Sequence, residues 1–166
     1  MKKKIFYTVA IIIILTLTSI AITKYFKYQE YRKSISDISI INYKNLTLKG
    51  MEFYNKGDYN CFLLFNSDCN LCMDEIEDIV DNIKIFKDVN FYLVSNQTEE
   101  QLIEYSEDSE FLGLKNFTVL LDRNNDINKF FNYSGNPSTF MYDNDGKLID
   151  FKKGFLQFYD LKRMIN

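Results

Sequence analysis

Ile5 to Thr23 is a run of nineteen residues without a charge, including the stretch AIIIILTLTSIAI. As a helix rising about 1.5 Å per residue, it reaches across the roughly 30 Å hydrocarbon layer of a bilayer. A helix packed on a soluble core shows a polar stripe where it meets water; this one offers only small hydroxyls. The run is therefore predicted to be one N-terminal transmembrane helix or an export signal, which sets residues 1–23 apart from what folds after them. The basic head Met1-Lys2-Lys3-Lys4 places the N-terminus in the cytoplasm and the rest of the chain outside. Lys24, Lys27, Arg32 and Lys33 nearly balance the count on the other flank. The length of the run favours an uncleaved single-pass anchor in the cytoplasmic membrane. The alternative is secretion after cleavage near Ala21, where Ser19 and Ala21 are small residues two apart.

Without residues 1–23 the chain keeps 17 basic and 23 acidic residues, a net charge of −6. An acidic domain without a basic cluster gives no footing to nucleic acid. The 15 Phe and 12 Tyr can fill the core of one domain, and a single Pro among only six Gly argues against disorder. Histidine is absent, which removes the commonest metal ligand and the commonest general base.

Residues 24–44 mix polar and aromatic side chains without clean periodicity and read as a juxtamembrane helix or linker; residues 45–166 read as the folded domain. Within it, NLTLKGMEF and DYNCFLLFN look like strands, the second apolar enough to be buried on both faces. Met73, Ile76, Ile79, Val80 and Ile83 then recur at spacings of three and four, the mark of an amphipathic helix. VNFYLVS is a further strand, and Thr98 with Gln101 three residues on forms a capping box at the next helix start. FTVLLD and a short helix through Ile127, Phe130 and Phe131 follow. STFMYDNDGKLIDFKKG is a β-hairpin turned by Asp145-Gly146, and FLQFYDLKRMI closes the chain as a helix. Strands alternating with helices, then a hairpin and a last helix, predict an α/β three-layer sandwich around a mixed central sheet.

Two of the three cysteines, Cys69 and Cys72, stand two residues apart where a buried strand gives way to a helix. Such a pair can close a small disulfide, and the positive end of the helix stabilises a thiolate at the first cysteine. Strand, CxxC at a helix start, two further strand–helix units and GNPSTFMYDNDGKLIDFKKG resemble the thioredoxin superfamily. More narrowly they resemble the membrane-anchored, redoxin-like thiol-disulfide oxidoreductases of the bacterial cell envelope, from Leu46 to Ile165. The resemblance implies that Cys69 is the nucleophile, Cys72 the resolving thiol, and Pro137 a cis-proline beside the pair. It further implies that Asn136 offers its backbone to an incoming peptide and that Glu75 assists proton transfer. Substrates implied are exported protein thiols or disulfides, or cytochrome precursors, with a membrane electron donor and no cofactor.

Several residues depart from the family pattern. Asp68 stands where a Trp often precedes the first cysteine, and Asn70-Leu71 replaces the usual Pro or His between the cysteines. Leu63 takes the place of a buried aspartate found in cytoplasmic thioredoxins. Asp68 beside Cys69 disfavours the thiolate, which points toward a reducing rather than a strongly oxidising dithiol. The bland alternatives are a structural disulfide for the cysteines, a solvated helix face for Glu75 among five carboxylates from Asp74 to Asp81, and an ordinary trans loop for Pro137. Zinc is a poor fit, since no His and no second CxxC accompany the pair, and Cys61 reads as a small core residue. Three functions compete: extracytoplasmic thiol-disulfide exchange, thiol peroxidase chemistry, and a non-catalytic module stapled by a disulfide. FNSDC lacks the Pro/Thr pattern that peroxidatic cysteines carry.

Overall fold

The computed structural model describes residues 2–34, 39–42, 47–49, 59–107, 114–131, 135–143 and 145–165. The charge-free run lies in helix α1 (Lys2–Ser34), in which Phe6–Phe26 is long and apolar enough to cross a membrane, with a mean hydropathy of 2.2. Thr16, Thr18 and Thr23 donate their hydroxyls to the carbonyls of Ile13, Leu15 and Ser19, so these polar groups are satisfied within the helix and need no water.

Among the described residues the domain is built on a seven-stranded mixed sheet of order β2-β1-β5-β4-β3-β6-β7. Its strands are β1 (Ser39–Asn42), β2 (Thr47–Lys49), β3 (Tyr59–Leu64), β4 (Val89–Ser95), β5 (Phe117–Leu121), β6 (Ser138–Asp143) and β7 (Leu148–Lys153). Helices α2 (Asn70–Asp81), α3 (Glu99–Glu107), α4 (Asp126–Phe130) and α5 (Phe158–Met164) complete it. β3 lies between β4, to which it is parallel, and β6, to which it is antiparallel, and alternation along it divides the core in two. Cys61, Leu63 and Phe65 join Cys72, Ile76 and Ile79 of α2, Leu102 of α3 and Leu161 of α5 on one face. Phe62 and Leu64 join Tyr92, Ile127, Phe131 and Phe140 on the other, where Phe62 stacks on Tyr92 at 5.0 Å. Each fully buried side chain of this size contributes about 2 kcal/mol by leaving water, which is why the sheet takes helices on both faces.

Local signals operate as read. Thr98 and Gln101 exchange the capping-box bonds, Thr98 N–H to Gln101 Oε1 at 3.1 Å and Gln101 N–H to Thr98 Oγ1 at 3.4 Å. In the β6–β7 hairpin Gly146 takes φ 74°, and Asp143 Oδ1 accepts from the N–H groups of Asp145 and Lys147. Two differences stand out. The segment read as helix or linker contains β1, which pairs antiparallel with β2 and with β5, so the sheet extends further toward the N-terminus than the mixed composition suggests. The last helix begins at Phe158 rather than Phe155, because Leu156 turns inward and is buried. Parts of the first expected strand (45–46 and 50–53) lie outside the described residues.

Candidate active site

β3 delivers the chain to a turn that the backbone fixes tightly. Phe65 N–H donates to Val94 O at 2.9 Å, Asp68 N–H to Asn66 Oδ1 at 2.9 Å, and Cys69 N–H to Asn66 O at 3.0 Å. Asn66 thus closes an Asx-type turn that aims Cys69 at the start of α2. Cys69 is the N-cap, with extended φ −100° and ψ 101°, and its Sγ accepts the backbone N–H of Cys72 at 3.2 Å. A sulfur holding an N–H at a helix N-terminus is favoured as the anion. Cys69 and Cys72 form a disulfide with Cα atoms 5.2 Å apart. Cys69 is half-buried while Cys72 is 0% exposed, so access to the two sulfurs is unequal. Leu71 between them is 55% exposed, an apolar side chain left standing beside the disulfide.

Ser138, the first residue of β6, pairs with Leu64 at the end of β3 from which the cysteine turn springs. The Asn136–Pro137 peptide bond just before it is cis, with Asn136 exposed and Pro137 buried. Ser138 Oγ donates within this loop to Gly135 O, and Gly154 N–H caps Pro137 O at 2.9 Å. The proline loop and the disulfide turn therefore occupy one end of the sheet.

Glu75 is not on the solvated face of α2. It falls three residues after Cys72 and four before Ile79, the spacing of the inner stripe, and is 0% exposed. Its Oε1 accepts the Thr139 hydroxyl at 2.6 Å and its Oε2 the Leu156 N–H at 2.9 Å. Burial pushes its pKa up to about 7; the two hydrogen bonds and Lys152 pull downward against it, and Asp78 adds upward pressure. Cys61, buried on the same side of β3, has its thiol pushed well up by burial and then by the Glu75 charge, which marks it as an unreactive core thiol.

One positioning residue had no sequence signal. Gln97, two residues past the end of β4, grips Ser67 by both ends of its amide: Oε1 accepts Ser67 N–H at 2.7 Å and Nε2 donates to Ser67 Oγ at 2.8 Å. Ser95 Oγ completes the network by donating to the same Oε1 at 3.2 Å. The turn two residues before Cys69 is thereby anchored to β4.

A three-layer sandwich with a CxxC disulfide capping a helix and a cis-proline at the same sheet end is a thioredoxin-like fold. The chain belongs to the AhpC/TSA family, whose model matches residues 34–151. Among solved structures it is similar to MTB DsbF, with a TM-score of 0.66 and 18% identity over 78% of this chain and 93% of that one. A secreted Mycobacterium tuberculosis disulfide oxidoreductase homologous to E. coli DsbE superposes with a TM-score of 0.62 and 14% identity, covering 82% and 96%. The exposed lipoprotein thioredoxin Etrx1 of Streptococcus pneumoniae gives 0.61 and 18%, covering 77% and 96%. No curated protein matches the sequence.

Proposed function

We propose that this protein is a membrane-anchored reductant of disulfides in exported proteins, including cytochrome precursors, with its domain outside the cytoplasmic membrane. The observation that carries the chemistry is the unequal disulfide at the head of α2: Cys69 half-buried and holding an N–H on its sulfur, Cys72 fully enclosed. In the reduced state the Cys69 thiolate attacks one sulfur of a substrate disulfide, forming a mixed disulfide and expelling the first substrate thiolate. Cys72 then loses its proton and attacks Cys69 Sγ, which closes the internal disulfide and releases the second substrate thiolate. Two electrons pass to the substrate, and a membrane electron donor restores the dithiol. Glu75, on the inner stripe of α2 with a pKa near neutrality, receives the Cys72 proton. Asn136 offers its backbone beside Pro137 as a strand edge for the substrate peptide.

The reducing direction rests on Asp68, whose charge next to Cys69 works against a deeply stabilised thiolate. The test is the reduction potential of the pair, measured together with reduction of insulin by the full-length dithiol form in detergent micelles. A potential nearer the about −270 mV of thioredoxin than the about −120 mV of DsbA, with insulin reduced, is the expected result. A value at the DsbA end, or no reaction with insulin, would sink the reading.

The location rests on the basic head before the apolar part of α1. A reporter active only outside the cytoplasm, fused after Asn166, should be active. Activity from a reporter that works only inside would reverse the topology.

A further inference from the structure

Between β7 and α5 the chain makes three backbone contacts from alternate residues. Gly154 N–H donates to Pro137 O at 2.9 Å, Leu156 N–H to Glu75 Oε2 at 2.9 Å, and Phe158 N–H to Asp78 Oδ2 at 2.8 Å. Residues 154–158 thus form a strap with one end on the proline loop and two attachments on the cysteine helix. The last is unusual for a helix start. Gln157, the N-cap of α5, makes no side-chain cap bond, and a carboxylate from α2 takes that place.

We infer that Asp78 is a positioning residue for the exchange reaction, tying the cysteine helix through the 154–158 strap to the loop that presents the substrate. The inference rests on the protein-disulfide activity proposed above. Disulfide exchange brings the attacking, central and leaving sulfurs close to one line, so the docked strand and the Cys69–Cys72 axis must hold a fixed angle. The loop fixes the first and α2 the second. They are joined through β3, the turn at residues 65–69 and the Leu64–Ser138 pair, by the Glu75–Thr139 bond, and by the packing of Cys72, Ile76 and Ile79 on the sheet. The strap adds an attachment at the far end of α2, and a longer lever between attachments narrows the angle the helix can take. Asp78 stands nine residues along the helix from Cys69, about 13 Å by helical rise, too far to touch a reacting sulfur. Its role is one of position, and the charge it also places near Glu75 is separated out by the Asn variant below.

The experiment compares Asp78→Ala, Asp78→Ser and Asp78→Asn with wild type, all full-length in detergent micelles and each checked by thermal melting. Two rates are read: insulin reduction by the dithiol form, and reduction of the protein's own disulfide by dithiothreitol, which docks on no loop. Asp78→Ala and Asp78→Ser should lower the second-order rate constant for insulin about tenfold and leave the dithiothreitol rate within about twofold. Asp78→Asn removes the charge that presses on Glu75 yet keeps an oxygen for Phe158 N–H, so it should stay within about threefold of wild type on both. Equal losses with both reagents, no loss with either, or an Asn variant as poor as the Ala variant would each overturn the inference. A wild-type protein that reacts with dithiothreitol but not with insulin would instead overturn the underlying activity, and the inference with it.

Discussion

Full-length protein carrying Cys72→Ser should accumulate covalent adducts with proteins of the cell envelope, visible as bands that collapse on reduction, whereas Cys69→Ser should accumulate few or none. The asymmetry follows from burial and capping. Cys69 is half-buried, caps α2 and holds the Cys72 N–H on its sulfur, so in the proposed exchange it is the thiol that meets the substrate. Cys72 has no exposed surface, which in the proposed exchange leaves it to attack Cys69 from within. Remove it and the mixed disulfide has no internal route to release. Cys69→Ser should also lower insulin reduction at least about a thousandfold, since a hydroxyl at that position is neither ionised nor a comparable nucleophile. Cys61, enclosed in the core with its thiol pushed well up, should not substitute for either partner. Adducts from the Cys69 variant but not the Cys72 variant would invert the assignment. Adducts from neither, under reducing and oxidising conditions alike, would leave the disulfide as a staple.

How much of this was legible in the sequence depends on the range of the interaction. The cysteine pair, the capping box of Thr98 and Gln101 and the Asp145-Gly146 hairpin are spelled within four residues each, and the structure forms them where they are written. Pro137 is the chain's one proline, and its cis bond precedes the hairpin as the family resemblance implies. Glu75 was only half legible. Its spacing from Cys72 and Ile79 places it inward, but an acid flanked by Asp74, Glu77, Asp78 and Asp81 reads equally as one more solvated charge. Its partners Thr139 and Leu156 lie 64 and 81 residues away, and no local pattern announces them. The same holds for Gln97 and Ser67, 30 residues apart, and for the bond from Phe158 to Asp78, 80 residues apart. Strand β1 escaped for a different reason: its pairing with β5, not its own composition, makes it a strand.

Glu75→Gln should make the protein more stable above neutral pH and slower in exchange, two opposite effects from one atom. Glu75 has a folded-state pKa of about 7 against an ordinary 4.5, raised first by burial. A raised carboxyl means that the native state keeps a proton the unfolded chain has released. Between pH 4.5 and 7, stability contributed by this group therefore falls as pH rises, and above pH 7 the loss is complete. At about 1.4 kcal/mol per pH unit the cost reaches about 3 kcal/mol. Gln has no proton to lose. Its oxygen can accept from Leu156 N–H and its amide can donate to Thr139 Oγ1, so the stability difference between variant and wild type should widen across that window and level off beyond it. Chemical denaturation at pH 5 and pH 8 measures this directly; a difference that does not grow with pH would mean that Glu75 is not a buried titrating acid. In the proposed exchange the variant loses the group assigned to take the Cys72 proton, so release of the mixed disulfide should slow about a hundredfold near pH 7. The rate should recover as rising pH ionises Cys72 without help. A Gln variant that is more stable yet exchanges at the wild-type rate would leave Glu75 as a structural tie between α2, β6 and the strap, with no part in moving the proton.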